Sequence, residues 1–137
     1  MGIGNDRASI DPIPPETDDI AREVVDAAFA VHKALGPGLM ENVYEACLVH
    51  ELAQRRLTAE RQVSLPVAYR GIRLDAGLRL DLLVANRVVV ELKATESVLP
   101  LHRAQVLTYL KLSGYRLGLL INFNVLRIKD GIERIAL

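Results

Sequence analysis

Two short apolar runs in this chain carry charged side chains where a folding argument alone would place oil. Asp81 sits within Leu80-Asp81-Leu82-Leu83-Val84, and a few residues later Val88-Val89-Val90-Glu91-Leu92-Lys93-Ala94 places an acid and a base in a second apolar run. Side chains on a strand alternate between faces, so Glu91 and Lys93 share one face with Val89, while Val88, Val90 and Leu92 line the other. Desolvating either charge costs on the order of several kcal/mol unless partners or a metal ion compensate. Any fold that buries these strands must therefore hold a polar site on them.

The chain has 137 residues, half of them hydrophobic. One domain of that size buries roughly two thirds of its unfolded surface. The single cysteine, Cys47, can form no internal disulfide. The polar, acidic, proline-containing start does not resemble a signal peptide, so a cytoplasmic protein is expected. The longest apolar stretches, 117–121 and 88–90, fall far short of the about 20 residues of a membrane-spanning helix. Net charge is zero, which argues against a strongly basic nucleic-acid binder. The average conceals an asymmetry: residues 1–26 hold seven acids against two arginines, and the rest holds fifteen Lys/Arg against ten Asp/Glu. The body beneath the acidic arm is moderately cationic and could meet phosphates.

The order of elements is simple. Residues 1–15, with Pro12, Pro14 and Pro15, read as a flexible acidic lead-in, and 16–137 as a single domain. Thr17 is placed to cap a helix with Asp18 and Asp19 in its first turn and Ile20, Val24, Ala27, Ala28, Val31 and Leu35 at helical spacing. Gly36-Pro37-Gly38 ends it. A second helix is expected over 40–56, with Val43, Tyr44, Cys47, Leu48 and Leu52 on one side. Strands are expected over 62–69, 78–84 and 88–94, with turns near Arg70-Gly71 and Asn86-Arg87, as an antiparallel meander. Pro100 opens a helix to about Leu112, followed by a buried strand over 118–123. The end, 125–128 and 132–136 around Lys129-Asp130-Gly131, reads as a hairpin with an Asp-Gly turn.

The helices add two further out-of-place polar sets. Glu41 lies nearly in line with Leu48 and Leu52 at about 100° per residue, so an acid opens an apolar stripe. On the later helix Gln105 and Tyr109 are one turn apart and share a face with His102. Glu41, Asp81, Glu91, Lys93, Gln105 and Tyr109 would converge if both helices packed on the same face of the sheet.

In this order the motifs resemble a known family. Gly38-Leu39-Met40-Glu41-Asn42-Val43-Tyr44 is similar to the signature of the GxxExxY family, whose members look like compact PD-(D/E)XK nucleases. The likeness covers about residues 20–137, through Val31-His32, Asp81, Glu91-Leu92-Lys93 and Gly118-Leu119-Leu120-Ile121-Asn122-Phe123. Gln105-Val106-Leu107-Thr108-Tyr109 is similar to the QxxxY element of the RecB-like branch. Leu80 replaces the proline of the PD motif, and residues 1–15 lie outside the likeness. The resemblance implies an α/β (α+β) fold with a restriction-endonuclease-like core, a central mixed sheet flanked by helices.

It also implies a chemistry: Mg²⁺- or Mn²⁺-dependent hydrolysis of phosphodiester bonds, in DNA or less readily RNA. A divalent ion held by hard oxygen ligands supplies a hydroxide-like nucleophile and neutralises charge in the transition state. The resemblance casts Asp81, Glu91 and Glu41 as metal ligands, with the Leu92 carbonyl as a further donor. Lys93 is cast as the group that orients water or stabilises developing charge. Gln105, Tyr109 and His102 are the candidates for substrate contact or for positioning the others.

Each assignment has a structural competitor. Asp81 and Glu91 could pair with Arg79 or Lys93; Glu41 could simply favour a helix's first turn; Gln105 and Tyr109 could bridge helix and sheet. His32 reads as a structural imidazole and Cys47 as a small core residue. The competing function is a catalytically inactive nuclease-fold module that binds nucleic acid or a protein. A core this small also suggests a homodimer or a partner protein that supplies specificity.

Overall fold

The apolar spacing expected of the first helix is realised in α1 (Pro15–Leu35) of the computed structural model, which describes residues 11–137. The helix begins two residues before Thr17. Pro15 takes the first helical position, where a missing N–H costs nothing, and Thr17 is buried in the first turn instead of capping it. Most of the lead-in expected over 1–15 lies outside the described residues. Of the described part, Ile13 packs against the core and Arg116 donates to the Asp11 carbonyl. Gly36 ends α1 at a φ of 72°, in the left-handed region that suits glycine.

The remaining elements are α2 (Glu41–Gln54), β1 (Ala59–Ser64), β2 (Val67–Tyr69), β3 (Ile72–Leu74), β4 (Arg79–Val84), β5 (Val88–Lys93), α3 (Pro100–Ser113), β6 (Leu117–Asn122) and β7 (Ile132–Ala136). Five strands form one mixed sheet in the order β1-β4-β5-β6-β7. β1, β4 and β5 are antiparallel neighbours, and the Ala85-Asn86 turn between β4 and β5 has both residues at positive φ. That turn falls one residue earlier than the sequence suggests. β5 and β6 run parallel, joined by α3 as parallel strands require.

Two of the expected strands are laid out differently. The run over 62–69 breaks at Leu65-Pro66, because proline cannot donate to a ladder, and the chain makes a separate β2–β3 hairpin before returning in β4. The C-terminal hairpin does not form. Residues 128–131 make a 3₁₀ turn, and β7 pairs antiparallel with β6. Gly131 is needed there for space: a Cβ would lie 2.1 Å from the Asn122 carbonyl oxygen.

The sheet separates two apolar clusters. One joins α1 and α2 to Leu82, Val84, Val88, Val90, Leu92, Leu119 and Ile121; the other joins α3 to Leu83, Val89 and Leu120. α3 sits close to β6 at Gly118, where an added Cβ would come within 2.8 Å of Val106. Among the described residues, no helix is long and apolar enough to cross a membrane.

Candidate active site

The regular alternation of β4 fails at Asp81. Leu82 and Val84 face the α1–α2 cluster, so Leu80 should join them, yet Leu80 packs with Leu83 in the α3 cluster. The ladders show why. β1 and β4 pair at Arg61–Leu82 and Val63–Leu80 but not at the intervening Gln62 and Asp81, and Gln62 has a φ of 52°. Pairing of β4 with β5 likewise stops at Leu82–Val90. Beyond that point side chains replace the ladder: Glu91 Oε1 accepts the Asp81 N–H at 3.1 Å, and Asp81 Oδ2 accepts the Leu92 N–H at 2.9 Å. The two strands thus form a fork with two carboxyl groups in its throat.

This fork is acidic, with Glu91 buried and Asp81 half-buried. Glu91 is 5% exposed. Burial, followed by the charge of Asp81, pushes its carboxyl up to about 8. Asp81 is also raised by burial, against the opposing pull of the Leu92 N–H. Neither acid has an ion pair with Arg79 or Lys93, the arrangement that a purely structural reading of the strands invites. Lys93 contributes a favourable charge to both, too small to offset desolvation.

α2 brings Glu41 to the fork through a loop held at three points. Tyr44, fully buried and stacked on Phe123 with centroids 4.5 Å apart, donates its hydroxyl to the Gly36 carbonyl at 2.6 Å and accepts the Leu39 N–H at 3.1 Å. Asn124 Oδ1 accepts the Gly38 N–H at 3.1 Å, and Gly38 has a φ of 99° that a side chain would strain. The spacing Gly38, Glu41, Tyr44 therefore has a mechanical meaning: glycine makes the bend, tyrosine clamps it, and the acid opens the helix between them. Glu41 stays exposed at the start of α2, and its carboxyl is raised by partial desolvation and then by the charge of Asp81, with Lys93 opposing.

α3 approaches from the other face. α2 and α3 lie on opposite sides of the sheet, so the condition of both helices packed on one face is not met; Glu41 and Tyr109 each feel the charge of Asp81 from their own side. Tyr109 is raised by burial and then by the charges of Glu91 and Asp81, with the neighbouring Gln105 acting in the opposite sense. Glu41, Asp81, Glu91, Lys93, Gln105 and Tyr109 thus belong to one electrostatic neighbourhood. His102 stands apart from it: its Nδ1 accepts the Leu99 N–H at 3.1 Å and closes the start of α3. His32 is likewise occupied, 2.8 Å from the Val125 carbonyl.

Three residues join the site that the sequence reading did not single out. Glu45, one turn after Glu41, is buried and pairs with Arg61 at 2.8 Å, and its charge raises both Glu41 and Asp81. The cue was the i, i+4 repeat of acids at Glu41 and Glu45. Gln62 donates to Glu45 at 3.3 Å. Buried Asn122, level with Lys93 on β6, accepts the Thr95 and Asn124 N–H groups and donates to the Thr95 carbonyl, fixing the chain as it leaves β5.

The family model of the PD-(D/E)XK nuclease superfamily matches residues 18–135. The chain belongs to this superfamily. No curated protein and no solved structure matches it. The mixed five-stranded sheet flanked by helices agrees with the fold of the superfamily, whose members generally use divalent metals and act on nucleic acids. Among the described residues no three His, Cys, Asp or Glu side chains are already gathered in a ligating cluster. The carboxylates of Glu41, Asp81 and Glu91 are in kind the hard oxygen donors that a divalent ion takes, and all three are raised from their ordinary values, burial being the largest cause in each.

Proposed function

We propose that this protein is a divalent-metal-dependent nuclease that hydrolyses phosphodiester bonds of DNA, of the GxxExxY type within the RecB-like branch of the superfamily. The observation that carries this reading is the fork: two carboxyl groups stand in its throat with no ion-pair partner among the described residues, with Lys93 on the same strand as Glu91. A structural ion pair would have closed the gap with arginine. A metal site must leave it open.

Asp81 and Glu91 would hold the ion, Mg²⁺ or Mn²⁺, with Glu41 and the Leu92 carbonyl completing an oxygen donor set. When bound, the ion would lower the pKa of a water and neutralise charge on the scissile phosphate. Glu91 would release its proton as the ion binds, so affinity would rise with pH. Lys93 would stabilise the charge that develops on the phosphoryl oxygens. Gln105 and Tyr109, one turn apart on α3, would position the strand being cut. His102, committed to the helix start, would serve substrate only from its other nitrogen.

The direct test compares metal-dependent cleavage of single-stranded, duplex and branched DNA by the wild type and by Asp81→Ala. Cleavage that depends on added Mg²⁺ or Mn²⁺ and disappears in the variant is the expected result. Undiminished cleavage by Asp81→Ala would remove the proposal.

A further inference from the structure

The β2–β3 hairpin is the part of the molecule that the core does not explain. Its two three-residue strands pair only with one another and pack scarcely at all against other elements. An isolated hairpin of this length is marginal in water unless something covers it. Cross-strand pairs Val67–Leu74 and Tyr69–Ile72 put four apolar side chains on one face, and Tyr69, Ile72 and Leu74 are 58%, 53% and 48% exposed. Ala68 and Arg73 form the other face. Arg70 lies in the turn and over the Tyr69 ring, 5.4 Å from its centroid.

Charge identifies what covers it. Arg70, Arg73 and, at the start of β4, Arg79 put three exposed arginines within ten residues with no ion-pair partner among the described residues; Arg56 and Arg87 are also without one, whereas Arg55, Arg61, Arg103 and Arg134 are paired with acids. Asp75 is the single acid between residues 61 and 80. The hairpin also stands beside the fork. Its base is closed by the Leu65 N–H bonding the Leu78 carbonyl at 2.9 Å, and Leu78 is three residues from Asp81, about 10 Å along an extended chain.

We infer that this hairpin is a DNA-binding arm, inserted into the major groove of a duplex whose backbone lies across the fork. The inference rests on the nuclease reading for the position of the cut strand. A two-stranded ribbon fits the about 12 Å width of the B-form major groove, whereas the narrow major groove of A-form RNA excludes it. Recognition of single strands calls for several free aromatic faces, and the hairpin has only Tyr69, already covered by Arg70. The arginines would meet phosphates, and the apolar face would meet thymine methyl groups and sugar edges.

The test uses Arg70→Ala/Arg73→Ala/Arg79→Ala in the full chain, all three at exposed positions. Binding of a short labelled B-form duplex, its single strand and an RNA duplex is followed by fluorescence anisotropy in EDTA across a salt series, with cleavage kinetics in Mg²⁺ alongside. The arm predicts duplex affinity at least about tenfold weaker, a salt slope shallower by about 3, a raised KM and an unchanged kcat. Unchanged duplex affinity in the variant, or a wild type that prefers single strands or RNA, overturns the inference. So does a wild-type dimer that the variant converts to monomer without loss of DNA affinity, which would assign the hairpin to self-association. If the wild type cannot cut DNA but the variant still loses duplex binding, the arm stands and the nuclease reading falls. If the wild type cuts and the variant keeps its KM, the reverse holds.

Discussion

Between Leu82–Val90 and Val84–Val88 the β4 and β5 strands are zipped together, their side chains buried among two layers of aliphatic neighbours. One residue further on the same strands part, and carboxyl groups satisfy the Asp81 and Leu92 N–H groups that the ladder leaves free. The closed end is held by the backbone ladder and by aliphatic burial. The open end trades burial for charge, because a buried N–H must find an acceptor and the acceptors supplied are acids. This fold therefore keeps a polar site in its sheet without a loop, by letting two central strands part over 79–81 and 91–93.

The contrast is broken most severely at the open end. Asp81→Ala should reduce metal-dependent cleavage by a factor on the order of 10³ while leaving a folded protein, as judged by circular dichroism and steady-state kinetics. The closed end should answer in the opposite way. Leu82→Ala, at a fully buried site, should destabilise by about 2–5 kcal/mol in chemical denaturation and leave the metal affinity of the folded protein unchanged. If Leu82→Ala instead lowered metal affinity, the two ends would not be independent.

A pH series sharpens the same comparison. The folded-state pKa of Glu91, about 8, lies above its ordinary value of 4.5, so its proton stabilises the native state fully below about pH 4.5. That contribution is lost as pH rises through about 8. In EDTA the wild type should lose stability relative to Glu91→Gln across this window, and equilibrium denaturation at several pH values checks it. Added Mg²⁺ should restore stability to the wild type at high pH and not to Glu91→Gln. The smallest effect is expected at the clamp: Tyr44→Phe removes the hydroxyl that holds the Gly36 carbonyl and Leu39 N–H, costing about 1–2 kcal/mol. By loosening Glu41 it should also lower metal affinity several-fold, measured by calorimetry.

The residues gathered at the fork were legible because charge in an apolar strand has few structural explanations. Asp81, Glu91 and Lys93 announce themselves by breaking a pattern, and α3 and β6 by keeping one. The fork itself was not legible, since it depends on Gln62 adopting positive φ in β1, a strand far from Asp81 in sequence. Glu45 was hidden for a related reason: an acid on a helix reads as solvated until a strand brings Arg61 over it. The Asp130-Gly131 turn misled because glycine there answers to the nearby Asn122 carbonyl instead of a hairpin. The condition of a shared face for α2 and α3 is not met, because apolar stripes state that a helix is buried and not on which side of a sheet.

Calorimetric titration of Mn²⁺ into the wild type, Asp81→Asn and Glu91→Gln, each with its fold verified, tests the central claim most directly. The account predicts saturable binding by the wild type, with proton release on binding, and its loss in both variants. A folded wild type that binds no ion, or variants that bind as tightly as it does, would make the fork a structural device and contradict the account.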